Sequence, residues 1–89
     1  MMLTILLAAA AIVWPKDVEA YRGNVEGCIH WAGEPGWDAE RERQINAAVK
    51  QTCGAAKRDY PRLLRKYARS PKVLAEIKAI KAELTDAGL

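Results

Sequence analysis

Two cysteines, Cys28 and Cys53, are the only ones in a chain of 89 residues, and a bond between them would dictate how everything else can pack. Whether they join depends on where the chain resides, because disulfides persist in oxidising compartments while cytoplasmic thiols stay reduced. An exported chain with two cysteines most simply makes one bridge. Closing a loop of about 25 residues would stabilise the fold by roughly 3 kcal/mol in the chain-entropy model. That is a large share for a body of about 70 residues, whose single core is only marginally stabilising. In a cytoplasmic chain the same side chains would be buried thiols.

Export is the expectation that the N-terminus supports. From Leu3 to Trp14 twelve residues carry no charge, and Pro15, Lys16 and Asp17 follow at once. At 1.5 Å per residue such a run reaches about 18 Å against a hydrocarbon thickness near 30 Å, which suits a signal-peptide hydrophobic region better than a membrane-spanning helix. The best small-x-small cleavage site is Val18-Glu19-Ala20, which divides the chain into a signal peptide over 1–20 and a helical domain over 21–89; a cut within Ala8 to Ala11 is the other choice. Two alternatives stand beside this reading: a buried N-terminal core helix of a cytoplasmic protein, and an uncleaved anchor on the membrane surface. The expected location is periplasmic or secreted.

The rest of the chain reads as helices. Val18, Tyr21, Val25, Cys28, Ile29 and Ala32 recur at three- and four-residue spacing, and Gly33-Glu34-Pro35-Gly36 breaks the pattern. Asp38 stands where an N-cap should, ahead of Glu40 and Glu42. A second helix is expected over about 39–52, with Arg41 (its stem), Ile45, Ala48, Val49 and Thr52 inward, ending at Cys53-Gly54. A third would start around Asp59 and Pro61 and carry Leu63, Leu64, Tyr67 and Ala68; Ser70-Pro71 would stop it and open a fourth with the stripe Val73, Leu74, Ile77, Ile80, Leu84. The fold class is therefore all-α, a small bundle of three to four short helices with one disulfide, preceded by a signal-like hydrophobic helix. Sixteen residues are Ala and none is Phe, so the 51% hydrophobic content overstates the core.

Bridging Cys28 to Cys53 restricts the connection between the first two helices. Fifteen residues place Cys53 about 22 Å from the start of the second helix, and bridged Cα atoms lie within about 6 Å. A tight hairpin would bring Cys28 to the wrong end. The ten steps from Cys28 to Asp38 can span about 33 Å when extended, so Ile29 to Trp37 is expected to run back along the second helix, with Trp31 and Trp37 as lids.

The same stretch holds the most distinctive side chains: Cys28, His30, Trp31, Glu34, Trp37 and Asp38 within eleven residues. A metal reading would use Cys28, His30, Cys53, Glu34 or Asp38, but paired close ligands such as Cys-x-x-Cys are missing and a disulfide would consume both thiolates. A thiol nucleophile beside His30 would need a depressed pKa, an orienting group and an oxyanion site. Glu34 and Asp38 could form an acid–base pair on a glycan, although carboxylates at helix starts usually cap. His30 alone reads as a locally bonded surface residue, and the two Trp as packing. The expectation is no catalytic residue, no metal and no cofactor.

Seven basic residues between Lys57 and Lys72 face only Asp59, and Arg58, Arg62, Arg65 and Arg69 fall on one helical face. Such a stripe is either the solvated side of a helix or a contact for nucleic acid, anionic lipid or an acidic protein surface. Export argues against nucleic acid. Formal charge is +3, and a cut after Ala20 would make it +4, thirteen basic against nine acidic residues.

The pattern Cys28-x-His30-Trp31-x-Gly33-Glu34, then Asp38, Arg41, Ile45 and Cys53, resembles short uncharacterised secreted proteins of Gram-negative bacteria. It covers about a third of the chain. The resemblance implies an envelope location and a disulfide; no activity or functional residue set comes with it. The reading at this level is a non-enzymatic periplasmic or secreted protein that binds a protein or envelope component through His30, Trp31, Glu34 and Trp37 or through the Arg stripe. The alternative is a basic helical module for nucleic acid or an anionic membrane surface, with any other membrane contact confined to an uncleaved N-terminal segment.

Overall fold

A computed structural model describes residues 13–89; the hydrophobic run expected to act as a signal lies, up to residue 12, outside the described residues. Three helices follow in order, α1 (Lys16–Ala32), α2 (Ala39–Lys66) and α3 (Pro71–Asp86), and no strand occurs among the described residues.

Helix α1 starts behind Pro15, whose carbonyl accepts from the N–H groups of Val18 and Glu19, both at 3.0 Å. Asp17 and Glu19 in its first turn complement the positive end of the helix dipole. Its buried residues are Val18, Tyr21, Val25 and Cys28, one every three or four positions. Helix α1 ends at Gly33, whose N–H donates to the His30 carbonyl. Gly33 to Asp38 then returns the chain along the first turns of α2, where Gly36 lies against Glu42. The expected return path is thus shorter than Ile29 to Trp37, because Ile29 to Ala32 remain helical.

Helix α2 begins with Asp38 as N-cap, its carboxylate accepting from the Arg41 backbone N–H at 2.8 Å. It then continues for 28 residues, through both Gly54 and Pro61. The expected second and third helices are therefore one. Gly54 does not terminate because it keeps a helical backbone; Gly88 is the only glycine with positive φ among the described residues. Pro61 deprives the Lys57 carbonyl of its helical donor and ordinarily kinks or breaks a helix. Here Ala56 and Leu63, buried on either side of it, are held in the same core, so packing overrides the local signal. Asp59, read as a helix start, pairs instead with Arg62 at 3.0 Å. Ser70 precedes α3, with Pro71 in its first turn. At the far end Gly88 (φ +80°) turns the chain so that the Leu89 N–H reaches the Leu84 carbonyl at 2.8 Å.

Cys28 and Cys53 are joined, with Cα atoms 4.8 Å apart, which ties the last third of α1 to the middle of α2. Next to this link Gly27 permits close approach: a Cβ there would lie 3.0 Å from Thr52 Cγ2. The core gathers Val18, Tyr21, Val25 and Cys28 with Ala56, Leu63, Ile77, Ile80 and Leu84. Trp14 also packs against it. The folded body therefore begins before the boundary expected at Ala20. A cut there would remove Val18, fully buried, and Asp17, whose carboxylate accepts from Lys66 Nζ at 2.6 Å and Tyr67 Oη at 2.7 Å. The Lys66 hydrogen bond, with smaller help from Tyr67, outweighs burial and holds the Asp17 carboxyl below the usual carboxylate range.

Tyr21 is the largest fully buried side chain, and its ring stacks on Tyr60 with centroids 6.1 Å apart. Its hydroxyl has no hydrogen-bond partner among the described residues. Burial, reinforced by Tyr60 and Asp59, pushes its pKa up from 10.0 to about 12. The fold thus holds the neutral phenol, so its contribution is intact below pH 10 and is lost as pH rises towards 12. Replacing Tyr21 with Phe should raise stability at neutral pH by about 1 kcal/mol, since a buried unpaired hydroxyl is removed. It should also flatten the alkaline loss. Denaturant unfolding at neutral and alkaline pH reads both, and a destabilised, equally alkali-sensitive Phe variant would contradict the assignment.

Candidate functional site

The two ends of the bundle differ in chemistry. At one end, the C-terminus of α1, the connecting segment and the N-terminus of α2 meet around Arg41. Its guanidinium lies 5.5 Å from the Trp31 ring centroid and 5.6 Å from that of Trp37. Its Nη2 donates to Glu34 Oε1 at 3.0 Å, while its backbone N–H is held by Asp38. Cation–π contact with two indoles and a carboxylate fix the group in place. Its Nε is buried with no partner among the described residues.

His30 stands beside this cluster, its ring edge-on to Trp31 at 5.1 Å and its Nε2 3.9 Å from Glu34 Oε2. Trp31 is half-buried, whereas Trp37 has 72% of its surface exposed. Trp37 is therefore no lid over α2; it rests a ring face on the Arg41 guanidinium and offers the rest to solvent. The geometry places His30 against Trp31 and Glu34, and Trp31, Glu34 and Trp37 around Arg41. The two carboxylates have structural partners, Glu34 the Arg41 guanidinium and Asp38 the backbone N–H of Arg41 at the α2 cap. Both cysteines are in the disulfide, which leaves no thiolate nucleophile. No group of three or more His, Cys, Asp or Glu side chains able to hold a metal occurs among the described residues.

At the opposite end, the start of α1, the end of α2 and the start of α3 converge, tied by the Asp17 contacts to Lys66 and Tyr67. Arg58, Arg62 and Arg65 are exposed on α2 as read from spacing. Arg69 departs from the expected helical face, because α2 stops at Lys66 and Arg69 sits in the turn before α3. Between the two ends, a groove of about 460 Å³ opens along α2 and the end of α3 over Cys28, Cys53, Ala56 and Leu84, with Lys57 and Lys81 bordering it. The Lys81 ammonium sits 5.3 Å over the Tyr60 ring in its wall.

Arg41 is the residue of this cluster that sequence underrated. Its stem was expected inward, but its head organises both Trp side chains. The signal was present: an Arg three residues after an N-cap, within reach of two Trp in a short connection. The Asp17 contacts, spanning some fifty positions, leave no trace in the sequence. Comparison with protein-family models, curated proteins and solved structures gives no match to this chain.

Replacing Arg41 with Ala should free Glu34 and both indoles at once and cost about 1 to 3 kcal/mol, the range for leaving a charged hydrogen bond unmade. Near-ultraviolet circular dichroism should lose Trp signal while helicity stays. An unchanged Trp spectrum would remove Arg41 from this role.

Proposed function

We propose that this chain is an exported, non-enzymatic binding module that docks a protein partner through the end of the bundle carrying His30, Trp31, Glu34, Trp37 and Arg41. The observation that carries the reading is the 72% exposure of Trp37 on an immobilised guanidinium. Exposing an indole to water is unfavourable, and Trp and Arg are the side chains that dominate binding energy at interfaces, especially when rigid before contact. Glu34 and His30 supply a polar rim. A disulfide is compatible with an oxidising compartment, which supports a periplasmic or secreted location. Among the described residues, no helix is long and apolar enough to cross a membrane.

The test places a photo-crosslinking residue at exposed position 35 beside Trp37, or at exposed position 78 on α3 as control, in the full chain in its native host. A discrete protein adduct from position 35, absent from position 78 and lost when Trp37 is replaced with Ala, is the expected outcome. Identical adducts from both positions, or none from position 35, would overturn the reading.

A further inference from the structure

The groove along α2 and the end of α3 has a charged end and an apolar end. It encloses about 460 Å³ and is walled mostly by apolar groups. On α2 the wall is the stripe Val49, Cys53, Ala56 and Tyr60, at three- and four-residue spacing, which spans about 16 Å along the helix. Leu84 of α3 and Leu89 beyond it continue the apolar wall; Leu89 is 51% exposed and is held by its N–H bond to the Leu84 carbonyl. Both cations lie at the Tyr60 end: Lys57 precedes Tyr60 by one turn, and the Lys81 ammonium sits 5.3 Å over its ring. No acidic side chain lines the groove, and none stands three or four residues from either Lys along its helix. Neither Lys makes an ion pair among the described residues.

We infer that this groove binds one fatty acid, its alkyl chain laid along Val49, Ala56, Leu84 and Leu89 and its carboxylate held by Lys57 and Lys81. Small-molecule sites are concave and mostly apolar, with a few polar groups that fix orientation, and occupy about 300 to 1,000 Å³. This groove sits in the lower part of that range, which suits a single chain better than a two-chain lipid. An alkyl chain would cover the apolar wall, including the exposed Leu89, and gain the free energy of leaving water. A carboxylate carries two oxygens, one for each ammonium, and charge-assisted bonds of this kind are the strong ones. The Cys28–Cys53 bridge borders the groove and ties α1 to α2 there, so these walls are in place before a ligand arrives. A nucleic acid would use the two cations but not the apolar wall, whereas an amphiphilic anion uses both. The groove is separate from the Trp37 end, and each reading can fail without the other.

The experiment is calorimetric titration of the full chain with dodecanoate, kept below the concentration at which it forms micelles. Butyrate, which has the head without the chain, and dodecyltrimethylammonium, which has the chain with the opposite charge, serve as comparisons. One dodecanoate should bind per chain, and both comparison ligands should bind at least about tenfold more weakly. Lys57→Gln/Lys81→Gln should weaken dodecanoate binding at least about tenfold, whereas Arg43→Gln/Lys72→Gln, which removes equal charge from exposed positions outside the groove, should change it little. Circular dichroism checks that both variants keep their helicity. If one does not, nuclear Overhauser contacts in the unaltered chain decide, and the alkyl protons should contact the methyl groups of Val49, Leu84 and Leu89. Equal binding of dodecanoate and the cationic amphiphile, equal loss in the two double variants, or alkyl contacts confined to residues outside the groove would each overturn the inference. So would a groove filled by a second copy of the chain, or by another part of it, that dodecanoate does not displace.

Discussion

The covalent link between Cys28 and Cys53 is the constraint on which the rest of the structure hangs. It joins α1 near its end to α2 near its middle, so the two helices cannot be a symmetric hairpin. The connection must return along α2 to start it about 22 Å before Cys53, and Gly33 to Asp38 does so. That return brings Trp31, Glu34 and Trp37 within reach of Arg41. Gly27 serves the same contact, since any larger residue would press on Thr52 and separate the linked helices.

Around this link the apolar core is small. Its largest members are Tyr21, Leu63, Ile77 and Ile80, and Tyr21 brings an unpaired hydroxyl with it. Ion pairs contribute modestly, because Lys66 and Glu19 are about half exposed and surface pairs of this kind are worth roughly 0 to 1 kcal/mol. Their larger effect is on charge distribution. Arg41, Glu34 and Asp38 satisfy one another at one end, and Asp17, Glu19 and Glu76 are consumed at the other. What remains facing solvent is an indole at one end and, at the other, basic groups with no ion pair among the described residues.

Helical periodicity made the core legible in the sequence: Val18, Tyr21, Val25 and Cys28 are buried in α1, and Ile77, Ile80 and Leu84 in α3. The Asp38 cap and the break at Gly33 to Gly36 were legible for the same reason, since local backbone chemistry decides them. Sequence failed where tertiary contact overruled local preference. Gly54 and Pro61 read as an end and a beginning, yet Ala56 and Leu63 on either side pack in one core and carry α2 through both. Along the chain a small-x-small pattern at Ala20 is visible, but the burial of Val18 and the reach of Asp17 to Lys66 are not. At the candidate site, Trp31, Glu34 and Trp37 share a segment that stands out in the sequence, whereas their grouping around Arg41 depends on tertiary contact.

The most direct measurement compares denaturant unfolding of the chain as purified from an oxidising compartment with the same chain reduced and alkylated. Beforehand, neither thiol should react with alkylating agent under denaturing conditions. Reduction should lower unfolding free energy by roughly 3 kcal/mol, the value for a loop of this length. Two reactive thiols in the purified chain, or unfolding curves that superimpose before and after reduction, would contradict the account.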